Sequence, residues 1–124
     1  MLKQSARIIS LLVVISPGFF ISSCTSEHLT PVCDTLKMSY SQNVVPILKY
    51  NCYTCHSVGN SVGSVGILLD NYDSLKKYAN QGGYLVGNIT HEPGFVAMPY
   101  MKPKLDACSI NQIVAWVNQG APDN

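Results

Sequence analysis

The residues with the clearest chemical potential form the run Cys52-Tyr53-Thr54-Cys55-His56. Two cysteines separated by two residues can each add to a vinyl group of one porphyrin, and the adjoining imidazole then lies beneath the iron as its proximal ligand. In an exported chain, this C-x-x-C-H spacing is typical of a c-type haem attachment site. The motif therefore predicts one covalently bound haem c, attached through Cys52 and Cys55, with His56 as an iron ligand.

Two other kinds of site also use a C-x-x-C pair. A structural zinc site needs four ligands, commonly with a second pair nearby, whereas Cys33 and Cys108 lie far apart and neither has a neighbouring ligand. A thioredoxin-like dithiol site expects alternating strands and helices around the motif, whereas the flanking residues here favour helices. Haem is the favoured interpretation, with zinc binding and dithiol chemistry as the alternatives.

A second axial ligand would have to come from elsewhere in the chain. Met98, Met101 and His91 all lie in an irregular stretch between the haem motif and the last predicted helix. Methionine sulfur and histidine nitrogen are both ordinary haem ligands. We favour Met98, because Pro99 stiffens the chain directly after it. Met101, His91 and an open coordination position are the alternatives.

The amino-terminal segment has the form of a secretory signal. Two basic residues precede the apolar run 8–20, which is shorter than the roughly 20 residues of a membrane-spanning helix. Ile21-Ser22-Ser23-Cys24 follows and resembles a bacterial lipobox, so 1–23 is predicted to be a lipoprotein signal peptide and Cys24 the lipidation site. An ordinary cleaved signal is the alternative. We expect a bacterial periplasmic or cell-envelope protein attached to a membrane through acyl chains.

The two remaining cysteines are expected to form a disulfide. Cys33 and Cys108 are left over after lipid and haem attachment, and an exported protein folds in an oxidising compartment. The bridge would close a loop of about 75 residues, which the chain-entropy model equates with roughly 4 kcal/mol of stabilisation. Two buried free thiols are the alternative.

The charge of the chain excludes one class of partner. Removing Lys3 and Arg7 with the signal leaves six of the eight basic residues against seven acidic ones. A nucleic-acid-binding surface needs a clustered basic face, and the Lys76-Lys77 pair is better interpreted as a solvated helix face. No nucleic-acid partner is expected.

The residues around the motif predict how it is positioned. Asn43 is a candidate N-cap, which would put Pro46 in the first turn of a helix that runs into the motif. Leu48, Cys52 and Cys55 then recur at i, i+4 and i+7, so one face of that helix could meet the porphyrin.

The middle of the chain predicts less regular structure. The segment 57–66 is rich in glycine and serine and is interpreted as a loop around the haem edge. A second helix is expected within 73–80, ended by Gly82-Gly83, and a weakly marked turn within 84–88. The segment 90–104 contains three prolines and is predicted to be irregular.

The last helix is the best marked. Ser109 and Gln112 have capping-box spacing, and Gly120 is a suitable terminator. Trp116 borders the apolar stripe and is interpreted as a packing residue that could also contact a cofactor. The stripe consists of Ile110, Ile113, Val114 and Val117.

These patterns predict one all-α domain. We expect three to four short helices, with the terminal helices packed together and the haem in the centre. The domain would span 40–122, preceded by a polar tether over 24–39.

Four segments resemble short bacterial monohaem c-type cytochrome domains. The resemblance covers about residues 40–122 and implies a cytochrome c-like fold with His56 and Met98 as the iron ligands. The segments that carry it are Val45-Pro46-Ile47-Leu48 leading into 51–56, the Gly-Ile-Leu-Leu-Asp run at 66–70, Met98-Pro99 followed by Lys104-Leu105, and the closing run 113–122.

The chain departs from the family in two places. Tyr100 stands where the family often has a second proline after Met-Pro. Better-known small cytochromes c have a proline soon after the haem histidine, whose carbonyl orients the imidazole, and Ser57-Val58-Gly59 offers none. The sequence therefore identifies no hydrogen-bond partner for His56.

The ligand set predicts the function. An iron with His56 on one face and Met98 on the other has no vacant position for a substrate or O₂. We expect outer-sphere electron transfer with redox proteins of the cell envelope, no enzymatic activity and no small-molecule substrate. A haem-based sensor or gas-binding module with a labile sixth ligand is the main alternative, favoured by the loose stretch around Met98. A peroxidase-like enzyme and a structural lipoprotein are weaker alternatives.

Overall fold

The structure, a computed structural model, describes residues 32–81 and 83–124, apart from the side chains of Ser61 and Val62. The predicted signal peptide, the lipidation site Cys24 and the first part of the predicted tether lie outside these residues. The described part of the chain is all-α, as predicted, and contains no β-strand. No helix within it has the length and apolar character needed to cross a bilayer.

Five α-helices form the described fold, so the predicted number of three to four was too low. Segment 84–90 forms a complete helix instead of a single turn, and the haem motif has its own short helix. A π-helical turn, Tyr40–Val44, and a 3₁₀ turn, Ser61–Ser64, complete the helical structure. The α-helices are α1 (Val45–Asn51), α2 (Tyr53–His56), α3 (Tyr72–Asn80), α4 (Tyr84–Thr90) and α5 (Ala107–Asn118).

The first helical segment begins earlier than the sequence predicts. Ser39 is the N-cap, and its hydroxyl accepts a hydrogen bond from the Gln42 N–H at 3.2 Å. The predicted cap, Asn43, lies inside the π-helical turn, and its Oδ1 accepts from the Ser39 N–H at 2.8 Å. The prediction of Asn43 as N-cap was therefore wrong. One additional turn precedes it, in which the Ser39 hydroxyl caps the Gln42 N–H and the Asn43 side chain caps the Ser39 N–H. Pro46 does lie in the first turn of α1.

The chain stays helical through the motif with one interruption. α1 ends at Asn51, and Cys52 departs from helical geometry with φ −120° and ψ −36°. The Cys52 N–H still donates to the Leu48 carbonyl at 2.7 Å, and the His56 N–H donates to the Cys52 carbonyl at 2.9 Å. Leu48 is fully buried in the core and does not line the cavity that Cys52 and Cys55 line, so the three residues do not form the single face that the spacing predicts.

The last helix also begins earlier than predicted, because its N-cap lies three residues before Ser109. Asp106 is the N-cap, accepting from the Ser109 N–H at 2.9 Å and from the Ser109 hydroxyl at 2.6 Å. These hydrogen bonds lower the pKa of the Asp106 carboxyl. Gln112 does not close a capping box with Ser109, because its amide donates to the Asp34 carbonyl at 3.2 Å instead. Cys108 therefore lies within the first turn of α5.

The core forms where α5 packs against the first helical segment. Trp116 is completely buried and donates through Nε1 to the Pro122 carbonyl at 2.9 Å. The Tyr40 ring stacks on Trp116 with 6.0 Å between the ring centroids. Trp116 is thus a packing residue. The largest other fully buried side chains are Leu48, Leu75, Ile113 and Val44.

The described part of the predicted tether is attached to this core. Cys33 forms a disulfide with Cys108, as predicted, and the two Cα atoms are 5.5 Å apart. Gln119 adds a second attachment: its amide group donates to the Leu36 carbonyl at 3.2 Å and accepts from the Met38 N–H at 2.9 Å. The Met38 side chain is 2% exposed. The chain from Cys33 onward therefore belongs to the folded unit.

Candidate functional site

The C-x-x-C-H motif lines a large cavity. The cavity measures about 930 Å³, near the upper end of the range for cofactor and ligand pockets. Cys52, Cys55 and His56 contribute to its wall, and Met98 contributes to the same wall from a segment more than 40 residues later. Most of the remaining wall is apolar. It includes Ile67, Leu69, Leu85, Phe95 and Leu105.

The imidazole of His56 has a fixed orientation. Its Nδ1 lies 3.0 Å from the carbonyl oxygen of Ile67. A carbonyl only accepts hydrogen bonds, so Nδ1 carries the proton and donates it. In the neutral ring the lone pair is then on Nε2, the arrangement that histidine ligands of metals normally have. The site therefore presents an imidazole prepared to bind a metal through Nε2.

Sequence reasoning missed Ile67. The residue acts through its main-chain carbonyl, so its side-chain type carries no signal. It is positioned by a turn in which its own N–H donates to the Ser64 carbonyl at 3.0 Å. Two residues later, the Leu69 N–H donates to the His56 carbonyl at 2.8 Å. The segment 67–69 thus holds both the ring and the backbone of His56.

Asp70 fixes the chain that leaves the motif. Its Oδ2 accepts from the Val58 N–H at 2.8 Å. This hydrogen bond fixes the segment directly after His56, whereas the imidazole itself is oriented by the Ile67 carbonyl. Its Oδ1 is buried and has no hydrogen-bond partner among the described residues. Tyr53 lies near this carboxylate, and burial, followed by the charges of Tyr40, Asp70 and Cys52, raises the pKa of its phenol to about 12.

Neither of the two motif cysteines takes part in a disulfide. Burial, and secondarily the neighbouring Cys55, raises the pKa of the Cys52 thiol to about 11. A dithiol redox site depends on a lowered pKa, so the environment of Cys52 does not favour one. Cys33 and Cys108 are bonded to each other and are not free to complete a zinc site. Among the described residues, no three His, Cys, Asp or Glu side chains gather as a metal-binding group.

Of the three candidate sixth ligands, Met98 is the one in the wall of the cavity. Met101 is 90% exposed. The ring of His91 is engaged elsewhere, with its Nε2 2.9 Å from the Met98 carbonyl oxygen. The N–H of Met98 donates to the Asn88 carbonyl, also at 2.9 Å. Both main-chain polar groups of Met98 are therefore bonded to the end of α4.

The segment that leads to Met98 packs closely on α4. Gly87 faces the ring of Phe95, and a Cβ atom at this glycine would lie 2.5 Å from the ring. The Glu92 N–H donates to the Gly87 carbonyl at 2.9 Å, and the Phe95 ring contacts that of Tyr84 edge-on with 5.8 Å between centroids. Phe95 and Tyr84 both line the cavity. Gly87 is a second site residue that sequence reasoning missed.

Comparisons of the chain with family models, with curated proteins and with solved structures give no match. Function is therefore inferred from the site. Its two thiols, its oriented imidazole and its thioether share one largely apolar cavity. Such a set fits an iron porphyrin, which needs apolar walls, covalent attachment points and axial donors.

Proposed function

We propose that the protein is a monohaem c-type cytochrome, with a cytochrome c-like fold, that transfers electrons by an outer-sphere route. One observation carries the proposal: Cys52, Cys55, His56 and Met98 line a single cavity of about 930 Å³. The first three lie within five residues of one another in the sequence, so their joint presence in the cavity wall follows from the motif. The presence of Met98 in the same wall depends on the fold, so it supports the proposal independently.

Each residue has a defined role. Cys52 and Cys55 would hold the porphyrin through thioether bonds, His56 would bind the iron through Nε2, and Met98 would supply sulfur to it as a second protein ligand. The bound haem would supply an iron that exchanges one electron between its ferrous and ferric states. The Ile67 carbonyl would keep the imidazole in the correct tautomer. No catalytic residue is required.

The walls of the cavity favour electron transfer over substrate chemistry. Leu69 and Leu85 are 7% and 5% exposed, and such apolar surroundings disfavour the extra charge of a ferric centre and raise the reduction potential. Tyr84, Val96 and Tyr100 line the cavity and are more than half exposed. One edge of the site is thus accessible from the surface, where a redox protein of the cell envelope could dock transiently.

The sensor alternative needs a sixth ligand that leaves readily. The segment between α4 and α5 contains no regular helix, which favours that alternative. Met98, however, has hydrogen bonds at both its N–H and its carbonyl, which favour retention of its position. Electron transfer is the stronger proposal.

The proposed location is the bacterial cell envelope, with attachment to a membrane through lipid on Cys24. The disulfide between Cys33 and Cys108 is consistent with an oxidising compartment. The lipidation site lies outside the described residues, so this part of the proposal depends on the lipobox-like sequence.

The decisive experiment is production of the protein together with haem-attachment machinery. Intact mass should show one covalently bound haem, and replacing Cys52 and Cys55 together by alanine should abolish it. The ferric protein should show the long-wavelength red band of a methionine–iron bond. Absence of attached haem in the wild type would refute the proposal.

Met98→Ala tests the sixth ligand. The variant should lose the red absorption band and have a lower midpoint potential, because sulfur ligation favours ferrous iron. Met101→Ala is the matched control, since Met101 is 90% exposed and lies outside the cavity wall. Loss of the band in Met101→Ala and its retention in Met98→Ala would reverse the assignment.

A further inference from the structure

His91 contacts the proposed sixth ligand, and the proposed function gives it no role. Its Nε2 lies 2.9 Å from the Met98 carbonyl oxygen. We propose that His91 is a positioning residue, which holds Met98 in its coordinating position and so restricts the access of competing ligands to the iron. The inference rests on the proposed function and concerns its regulation.

The direction of the hydrogen bond is defined by its partners. A main-chain carbonyl only accepts, so the His91 Nε2–H must donate. The other main-chain polar group of Met98 is also bonded: its N–H donates to the Asn88 carbonyl at 2.9 Å. The main chain of Met98 is therefore held by Asn88, in the last turn of α4, and by the side chain of His91, which follows the helix.

The backbone of His91 is unusual for a histidine. It terminates α4 in the left-handed conformation, with φ 54° and ψ 42°. Non-glycine residues occupy this region at a cost, although Asn, Asp and His do so more often than others. Such a conformation persists where the surrounding contacts determine it. Here the His91 N–H is directed to the carbonyl groups of Asn88 and Gly87, and its side chain is bonded to Met98.

The effect of this hydrogen bond should be local. Positions 92–94, 96 and 97, between His91 and Met98, are exposed. Phe95 is therefore the one residue of this segment whose side chain is partly buried. The buried side of α4, which includes Leu85 and Ile89, contributes to the core independently. Loss of the His91 contact should therefore free Met98 without unfolding α4.

Two substitutions separate the hydrogen bond from the backbone conformation. His91→Asn tolerates the left-handed backbone, but its amide is too short to replace Nε2. His91→Gln has an amide nitrogen at the distance of Nε2, so it should restore the donor. The probe is imidazole, titrated into the ferric holoprotein, where it competes with Met98 for the iron.

We expect the apparent affinity for imidazole to rise roughly five- to tenfold in His91→Asn, because loss of the hydrogen bond increases the fraction of molecules in which Met98 is detached. The red methionine–iron band should weaken, and both properties should return close to wild type in His91→Gln. The denaturation midpoint, followed by Trp116 fluorescence, should change little. If His91→Asn does not accumulate, His91→Gly, which adopts the same backbone without strain, takes its place.

Three results would overturn the inference. One is an unchanged imidazole affinity in His91→Asn. Another is an equal increase in the Asn and Gln variants, which would show that the hydrogen bond is not the cause. The third is a bis-histidine spectrum in the wild type that His91→Asn abolishes, which would make His91 the ligand. Failure of the proposed function would look different from these results. The wild type itself would then lack haem, or its spectrum would show neither histidine–methionine nor bis-histidine ligation.

Discussion

A single main-chain oxygen prepares the most important side chain of the site. The Ile67 carbonyl accepts from Nδ1 of His56 at 3.0 Å and leaves Nε2 as the basic nitrogen. In the small cytochromes c that the sequence resembles, a proline carbonyl has this role, and Ser57-Val58-Gly59 contains no proline. The main-chain carbonyl of any residue can accept this hydrogen bond, provided that the fold brings it to the imidazole of His56. Burial within the motif has a second effect, because it shifts the ionisation of Tyr53.

Tyr53 gives a pH test of that environment. Its pKa is raised from 10.0 to about 12, first by burial and then by Tyr40, Asp70 and Cys52. As the pH rises from 10 to 12, the unfolded chain loses the phenolic proton while the folded chain keeps it. The free energy of unfolding should therefore fall across this window. Denaturant titrations at successive pH values should show this decline.

The comparison that isolates Tyr53 uses two variants. Tyr53→Phe should give a shallower decline, because it removes the group whose pKa differs between the two states. Tyr100→Phe removes a tyrosine that is 68% exposed and should follow the wild type. A decline in Tyr53→Phe as steep as that of the wild type would contradict the assignment.

At the scale of elements, α4 and the segment after it form the part of the site that carries Met98. α4 starts after Gly83 and ends at His91, both in the left-handed region. This geometry returns the chain along the helix, so that the Met98 N–H reaches the Asn88 carbonyl. Close packing makes the return possible, because Gly87 leaves room for the Phe95 ring.

Gly87→Ala tests that packing. The new Cβ would lie 2.5 Å from the Phe95 ring, so the ring must shift into the space of the cavity that it lines. Overpacking of this kind costs typically about 1–3 kcal/mol, of which the better helix propensity of alanine offsets up to roughly 1 kcal/mol. We expect a net loss of about 1–2 kcal/mol in the free energy of unfolding, together with a weaker methionine–iron band.

Gly59→Ala is the matched control for this prediction. A Cβ at Gly59 has nothing within 4 Å, so its unfolding curve and spectrum should match those of the wild type. Wild-type stability in Gly87→Ala would show that the close approach of Phe95 does not matter.

At the scale of the whole molecule, a small core is supplemented by one covalent link. The Cys33–Cys108 disulfide spans 75 residues and connects the first described residues of the chain to the first turn of α5. The core that it encloses depends on Trp116 and Ile113, which are fully buried. Small exported domains often need such a link, because their cores bury too little apolar surface on their own.

Cys33→Ser measures the contribution of this link. For a loop of this length, the chain-entropy model gives roughly 4 kcal/mol, and removal of native disulfides from small exported domains costs about 2–5 kcal/mol. Denaturant unfolding should show a loss in this range. Labelling under denaturing, non-reducing conditions should find one additional thiol, on Cys108.

The double variant Cys33→Ser/Cys108→Ser is the control for that experiment. It should be as stable as Cys33→Ser and should show no additional thiol. If the wild-type protein already reacts at both cysteines, the disulfide does not form.

The sequence determined the features that are encoded locally or by elimination. The C-x-x-C-H spacing, the helical class and the pairing of Cys33 with Cys108 depend on short-range patterns and on a count of cysteines. Two helix starts were misplaced, at Asn43 and Ser109, because several polar residues near each end compete for the same backbone N–H groups and only the observed hydrogen bonds decide between them.

The tertiary structure decided how the rest of the site is assembled. It selected Met98 over Met101 and His91 as the residue in the cavity wall, and it brought the Ile67 carbonyl to His56 and the His91 ring to Met98. The Met98-Pro99 pair is a sequence signal for Met98, but the contacts of the Ile67 carbonyl and the His91 ring have no such signal. A main-chain carbonyl is the same at every residue, and which one reaches a given side chain depends on how distant segments fold together.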